Sequence, residues 1–269
     1  MNDTLTVNHN AGFFSCCSVR LHELIKFFNY NKREPVNLDI KHQFSGYRIN
    51  PADTNEDVNS LFFKTPDKEE ISFKREVDYD HGYQFESYAK FDFEGIVPFI
   101  KKYFAPSDTV LEFVNNIIQK YNINFETTAG VFYRGNDKCT ETGIGTYEEY
   151  FNKCNELINL NPDITFLVQT DELEFRDFFS SKFKNSFFID ELPVINKNTN
   201  TAMHNMIGSY DRPKFGMRIL GITYLLSKLK YLITHSGNCS EWAIFYRGNA
   251  NSVYQYLKHP STAVTGEWV

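Results

Sequence analysis

The stretch Thr128-Ala129-Gly130-Val131-Phe132-Tyr133-Arg134-Gly135-Asn136-Asp137-Lys138-Cys139-Thr140-Glu141 decides how this chain is read. Its first six residues carry no charge and form a strand, and the next eight hold Arg134, Asp137, Lys138 and Glu141. A helix follows over Thr146 to Ile158. Tyr147, Tyr150, Phe151, Cys154 and Ile158 lie on one side of it at helical spacing. Ile164 to Gln169 is then an almost continuous apolar strand, the kind buried on both faces of a parallel sheet. Glu172 to Phe183 reads as a helix and Ser186 to Ile189 as a short strand. Asp190 to Tyr210 reads as a long connection. Asp211-Arg212-Pro213 then supplies an N-cap and an early helical proline for a helix to about Lys228. Tyr231 to Thr234 is a strand, Ser240 to Tyr246 a helix, and Ser252 to Tyr256 a final strand. Strands alternating with helices imply an α/β fold with a parallel sheet covered on both faces.

The amino-terminal half opens in the same style. Thr4-Leu5-Thr6-Val7 is a short strand, Asn8-His9-Asn10-Ala11-Gly12 a turn, and Leu21, Leu24, Ile25 and Phe28 mark a helix face. Val36 to Ile40 suits a second strand. Strand, glycine turn and helix is how a Rossmann-like unit begins. From Ser45 to Phe104 no steady period emerges, and this region reads as irregular, with short elements. Val110, Phe113, Val114, Ile117 and Ile118 then give a helix over Thr109 to Lys120. The expected architecture is two Rossmann-like domains, residues 1–125 and 126–269, facing a central cleft.

In such sheets ligands bind beyond the carboxyl ends of the strands. That rule selects Arg134 to Glu141, Thr170-Asp171-Glu172, and His235-Ser236-Gly237-Asn238-Cys239-Ser240-Glu241. Arg134 and Lys138 can neutralise a pyrophosphate, and a nearby carboxylate can orient the lysine or act as a base. The same residues would also suit a solvated charged turn. The third loop opens a helix, whose backbone N–H groups with Ser236, Asn238 and Ser240 make a phosphate cradle or an ordinary N-cap. Asp171 or Glu172 offers a carboxylate to ribose or base donors. The turn carrying Asn10 and Gly12 faces the same crevice, and Gly12 would let backbone approach a ligand. His204-Asn205 lies in the long connection.

Composition narrows the classes. The chain has 269 residues, 42% of them hydrophobic, enough for a substantial core. Its formal charge is -6, which argues against a dedicated nucleic-acid partner. The longest mainly apolar run, Ile219 to Leu226, is too short to span a bilayer. Met1-Asn2-Asp3-Thr4 has no signal-peptide character. Five scattered cysteines without a CxxC pair favour reduced thiols, neither a disulfide framework nor a zinc ribbon, and a cytoplasmic location is expected. With 26 Phe and 16 Tyr, a lone aromatic residue says little about function. P-loop, HExxH, GxSxG and full GxGxxG patterns are absent. Asp78-Tyr79-Asp80 is a DxD, the sequence by which many GT-A glycosyltransferases hold Mn²⁺ on a sugar nucleotide.

The three loops, in this order, resemble the fucosyltransferase superfamily with a GT-B fold: the α1,6-, α1,2- and protein O-fucosyltransferases. Gly130 to Lys138, then Thr140-Glu141 and Glu148-Glu149-Tyr150, look most like the first motif of the α1,6 branch. Phe166-Leu167-Val168-Gln169-Thr170-Asp171-Glu172 is similar to the family's apolar strand ending in Thr-Asp-Asp. Met203-His204-Asn205 looks like a Leu-His-Asn of the same branch, and Tyr231 to Ser236 is similar to the strand entering the Ser-rich third motif. The resemblance covers about Thr128 to Tyr246.

The resemblance implies an inverting transferase that moves a sugar, expected to be fucose from GDP-fucose, to a glycan or other hydroxyl acceptor. It implies that Arg134 binds the diphosphate, with Asp137 beside it. Lys138 and Glu141 would be the polar pair at the reacting centre, with Glu141 as base. Asp171 or Glu172 would take guanine or ribose, Ser236, Gly237 and Asn238 would hold phosphate, and His204, Asn10 and Gly12 would border the donor. The family generally needs no metal, so neither metal nor cofactor is expected. Three positions depart from the pattern: Phe132 replaces a base-reading His, Gly135 replaces a second Arg, and Glu241-Trp242 occupy the stretch where a later Arg is expected. These would fit another donor or a diverged subfamily. Two other readings stay open: a degenerate transferase fold that binds without turnover, and a GT-A-type Mn²⁺-dependent enzyme built on Asp78 and Asp80.

Overall fold

A computed structural model describes residues 3–197, 208, 211–257 and 266–269. The chain opens with strand β1 (Thr4–Thr6), helix α1 (Phe13–Asn31) and strand β2 (Asn37–Asp39). β1 and β2 pair in parallel, so these three elements form one β-α-β unit. Short 3₁₀ turns at Ser45–Tyr47, His81–Phe85 and Tyr88–Lys90, with the single-turn helix α2 (Asn59–Phe62), make up the irregular region. Helix α3 (Phe93–Tyr103) and helix α4 (Asp108–Tyr121) complete the first half.

The second half is built on strands β3 (Thr128–Tyr133), β4 (Thr165–Thr170), β5 (Ser186–Phe188), β6 (Tyr231–His235), β7 (Val253–Leu257) and β8 (Glu267–Trp268). They form one sheet in the order β5-β4-β3-β6-β7-β8. All pairs are parallel except β7 with β8. Helices α5 (Tyr147–Leu160), α6 (Leu173–Lys182), α7 (Arg212–Leu226) and α8 (Asn238–Arg247) connect them. Every residue of β3 is buried. Alternation sends Ala129, Val131 and Tyr133 into a core with Tyr150, Cys154 and Phe175 of α5 and α6. Phe132 faces the opposite core, which contains Leu225 of α7 and Trp242 and Phe245 of α8.

That second core also takes in Phe13, Phe28, Phe62 and Phe99, so residues from both halves share one apolar cluster. A buried polar network crosses the same seam. Ser18 Oγ of α1 lies 2.8 Å from Asn238 Oδ1 and 3.1 Å from Glu241 Oε2, with one hydroxyl proton between them, and Trp242 Nε1 donates to Ser18 at 2.8 Å. The irregular region is pinned by Arg20, whose side chain donates to Gln43 at 2.7 Å and to Asn59 at 2.9 Å. Its guanidinium also lies over the Phe44 and Phe104 rings. Burial lowers the Arg20 pKa to about 10, against the pull of the nearby Cys17 and Cys16 thiols.

Local chemistry explains most element starts. Ser107 caps α4 by accepting from Val110 N, and Thr146 with Glu149 forms a reciprocal capping box on α5. Three expectations change. α3 was not anticipated: Asp92 caps it, and Ile96, Phe99, Ile100 and Tyr103 are buried along it, but Pro98 sits inside. The strand expected to be last is followed by β8, which returns antiparallel to β7. Asp211 occupies the N-cap position of α7 without a side-chain hydrogen bond.

Candidate functional site

β4, β3 and β6 are neighbours, so their carboxyl ends deliver Asp171, Arg134 and His235 to one place. A cleft of about 350 Å³ opens there. Its far wall is the turn from Ala11 to Ser15, with Tyr47, Gln84 and the α7 residues Phe215, Ile219 and Thr223. α1 and α8 both begin at this cleft, so two helix amino termini present their positive ends to it.

Arg134 is held from two sides. Its Nε donates to Asp171 Oδ2 at 3.1 Å and its Nη2 to Asp137 Oδ1 at 2.6 Å. Burial opposes its charge, but Asp171 and Asp137 outweigh that and raise its pKa, so the guanidinium stays charged. Asp171 is fixed in turn by Gly135 N, which donates to Oδ1 at 3.0 Å. Burial pushes the Asp171 carboxyl up, against the downward pull of Arg134. Lys138 Nζ lies 2.5 Å from Glu141 Oε2 and above the Phe85 ring, 5.5 Å from its centroid.

Gly237 makes this arrangement possible. Its φ is +142°, and a Cβ there would lie 2.4 Å from Lys138 Cε. His235 is fully buried behind the two cations. Its Nε2 accepts from Arg134 N at 3.2 Å while Nδ1 meets Ser236 O at 2.7 Å, which makes Nδ1 the protonated nitrogen of a neutral ring. Burial brings its pKa down to about 3. Phe132 stacks on it with centroids 5.9 Å apart.

The structure brings Gly12, Arg134, Asp137, Lys138, Glu141, Asp171, Gly237 and Asn238 together on the cleft. Three anticipated residues are placed elsewhere. Glu172 is 0% exposed, lies against Gly135, and has Lys197 Nζ 3.7 Å from its Oε1. Ser236 points into the interior, where its Oγ accepts from Gln255 Nε2 at 3.0 Å. Asn10 turns to Ser45 and borders a separate groove with His42 and Arg48. Gly12 has open space beside it, so no close approach requires glycine there. His204 lies outside the described residues.

Gln84, Tyr47 and Phe215 line the cleft and were not singled out by sequence. His235 lines it too; the sequence placed it at the head of the third loop without giving it a role, and in the structure it is the last residue of β6. The DxD carboxylates are not in the cleft. Asp78 accepts from the Tyr83 hydroxyl at 2.9 Å and Asp80 from Gly82 N at 2.7 Å, and their distance from the cleft, on a GT-B fold, is what argues against a GT-A-type donor site there.

Solved structures share this arrangement of strands and helices. NodZ α-1,6-fucosyltransferase co-crystallised with GDP matches at TM-score 0.57, over 95% of this chain and 95% of that one, at 12% sequence identity. The same enzyme soaked with GDP-fucose matches at TM-score 0.58, over 99% and 98%, at 11% identity. The fold is GT-B, fucosyltransferase-like. A third structure, fucosyltransferase NodZ from Bradyrhizobium, matches at TM-score 0.54 over 96% of each chain, at 12% identity. Neither a protein-family model nor a curated protein sequence matches this chain. On this fucosyltransferase-like fold the cleft lies where the general rule for parallel sheets puts ligands. Among the described residues, no helix is long and apolar enough to cross a membrane.

Proposed function

We propose that the protein is an inverting glycosyltransferase that moves fucose from GDP-fucose to a hydroxyl of a glycan acceptor. The observation that carries this reading is Arg134, clamped by Asp171 and Asp137 at a cleft where two helices begin. Such a site suits a pyrophosphate, because a rigid fork and helix amino termini stabilise the charge that grows on a diphosphate leaving group. Residues 126–269 hold the nucleotide sugar and residues 1–125 contribute the acceptor side.

In the reaction Glu141 takes the proton of the acceptor hydroxyl, and that oxygen bonds to the sugar C1 from the face opposite the diphosphate. The bond from C1 to the diphosphate oxygen breaks, and the leaving group departs with the electron pair. Lys138 orients Glu141 from 2.5 Å. Arg134 and Lys138 supply the positive charge, so the chemistry requires no metal. An acidic chain still suits an anionic donor, since charges lining a cleft dominate there. The partners are then a nucleotide sugar and a glycan, not nucleic acid, and the protein works in the cytoplasm.

Phe132 and Gly135, at the two positions of the first motif where the family has His and Arg, favour a second reading: a transferase fold that binds nucleotide without turnover. Isothermal titration with GDP, UDP and ADP tests the first reading. GDP should bind most tightly, and no binding of any of the three at millimolar concentration would sink it. Tight GDP binding without transfer across a broad acceptor panel would select the second.

A further inference from the structure

We propose that the protein carries a divalent-cation site, of the chemistry zinc prefers, built from His22, Asp80 and His81 at the junction of α1 with the 3₁₀ turn His81–Phe85. His22 Nδ1 lies 3.5 Å from Asp80 Oδ2, and His81 Nδ1 lies 3.8 Å from Asp80 Oδ1. One ligand atom from each of the three residues falls within 4.8 Å of the others. Among the described residues this is the one group of three His, Cys, Asp or Glu side chains so placed. None of the three lines the cleft, so the site is separate from the donor site.

Two imidazoles and one carboxylate match the donor preference of zinc, whose nitrogen and oxygen ligands sit at about 2.0–2.2 Å. In a tetrahedral site such ligands lie about 3.4 Å apart. The two separations to Asp80 run to different carboxylate oxygens, so binding an ion would need a small turn of that carboxylate, and the exposed His81 ring has room to close the rest. The fourth position would be water.

The arrangement is pre-set from both sides. Asp80 is held by accepting from Gly82 N at 2.7 Å, which orients its carboxylate. The His22 and His81 rings meet edge to face with centroids 5.2 Å apart. His22 Nδ1 is buried and makes no hydrogen bond, and Asp80 Oδ2 at 3.5 Å is a contact that an ion could bridge.

An ion there would clip the turn to α1, and the turn supports the cleft. Gln84 O accepts from Gly237 N at 3.0 Å, and Phe85 lies under the Lys138 ammonium. The site would thus brace the backbone that positions Gly237 and Lys138 while leaving the chemistry to other residues.

The test is a titration of metal-stripped full-length protein with zinc chloride alone, by calorimetry, with cobalt(II) absorption as a second readout. One equivalent should bind per chain, raise Tm, and give the visible bands of a tetrahedral nitrogen and oxygen site with cobalt. His81→Gln, exposed enough to leave folding intact, and His22→Gln should each weaken binding at least about tenfold. Circular dichroism checks that both variants fold. If His22→Gln fails to fold, Asp80→Asn takes its place. No zinc binding below millimolar concentration would overturn the proposal. So would binding whose affinity is unchanged in either folded variant, which would place the ion elsewhere.

Discussion

Replacing Arg134 by Lys keeps the charge and removes the fork. In the structure Nε and Nη2 reach two different carboxylates, at 3.1 Å and 2.6 Å. A single ammonium cannot serve both while also facing a diphosphate, so at least one charge-assisted hydrogen bond is lost. Such bonds contribute about 1.5–3 kcal/mol each, which corresponds to GDP binding about 10- to 150-fold weaker. Arg134→Ala goes further. It leaves Asp171, whose side chain is 8% exposed, facing a lost cation. Breaking a fully buried pair costs about 3–5 kcal/mol, and partial exposure of Arg134 and Asp137 reduces this to about 2–3 kcal/mol of folding stability. The assay is calorimetric titration with GDP, at a temperature where circular dichroism shows both variants folded, alongside urea unfolding. Folded Arg134→Ala protein that binds GDP within twofold of wild type would refute the assignment of Arg134 to the diphosphate. Lys restoring wild-type affinity would refute the role of the fork while sparing that of the charge.

Two further outcomes follow from the packing behind the site. Gly135→Ala should cost about 1–3 kcal/mol in urea unfolding, because its Cβ would fall 1.7 Å from Glu172 Oε2 and 2.6 Å from Tyr133 Cε1. Combining it with Glu172→Ala should recover part of that loss, and strict additivity of the two changes would show that the contact is not the cause. His235 has a folded pKa depressed to about 3 from an ordinary 6.5, so the unfolded chain binds its proton first as pH falls. Its contribution is complete above pH 6.5 and declines toward pH 3, by about 2 kcal/mol between pH 6.5 and 5. Burial raises the Glu172 and Glu241 carboxyls, which titrate with the opposite sign. The difference between wild type and His235→Gln isolates the histidine, and parallel pH curves for the two would contradict its burial as a neutral ring.

Much of the second half was legible because its elements are defined by local pattern. β3, β4 and β6 are apolar runs with polar punctuation, and Thr146 with Glu149 marks the start of α5 outright. The loops after those strands pointed to Arg134, Lys138 and Asp171 because parallel topology alone brings strand ends together. The far wall was not legible, because its order comes from distant partners. Phe44, Tyr47 and Phe62 gain burial by meeting Phe13, and Arg20 ties Gln43 to Asn59, so no periodic face is written into residues 45–92. Glu172 and Ser236 were placed toward the cleft by neighbourhood in sequence. A one-residue step along a strand or its exit turns a side chain to the other face, which is what carries both inward. The glycine at position 135 has the same origin, since Glu172 occupies the space that any side chain there would need.

The last strand also bears on how the protein behaves at high concentration. β8 covers β7, with Gln255 and Val269 exchanging backbone hydrogen bonds at 3.0 Å and 2.9 Å, while Trp268 packs edge-on against Tyr150 and Tyr256. β7 would otherwise present open backbone donors and acceptors, a template for another chain to add to. At the opposite margin β5 is only three residues long, too short to recruit a partner well. The sheet is thus guarded against self-association at both margins, and clipping the final residues would remove one guard. Aggregation should then set in before any loss of the cleft.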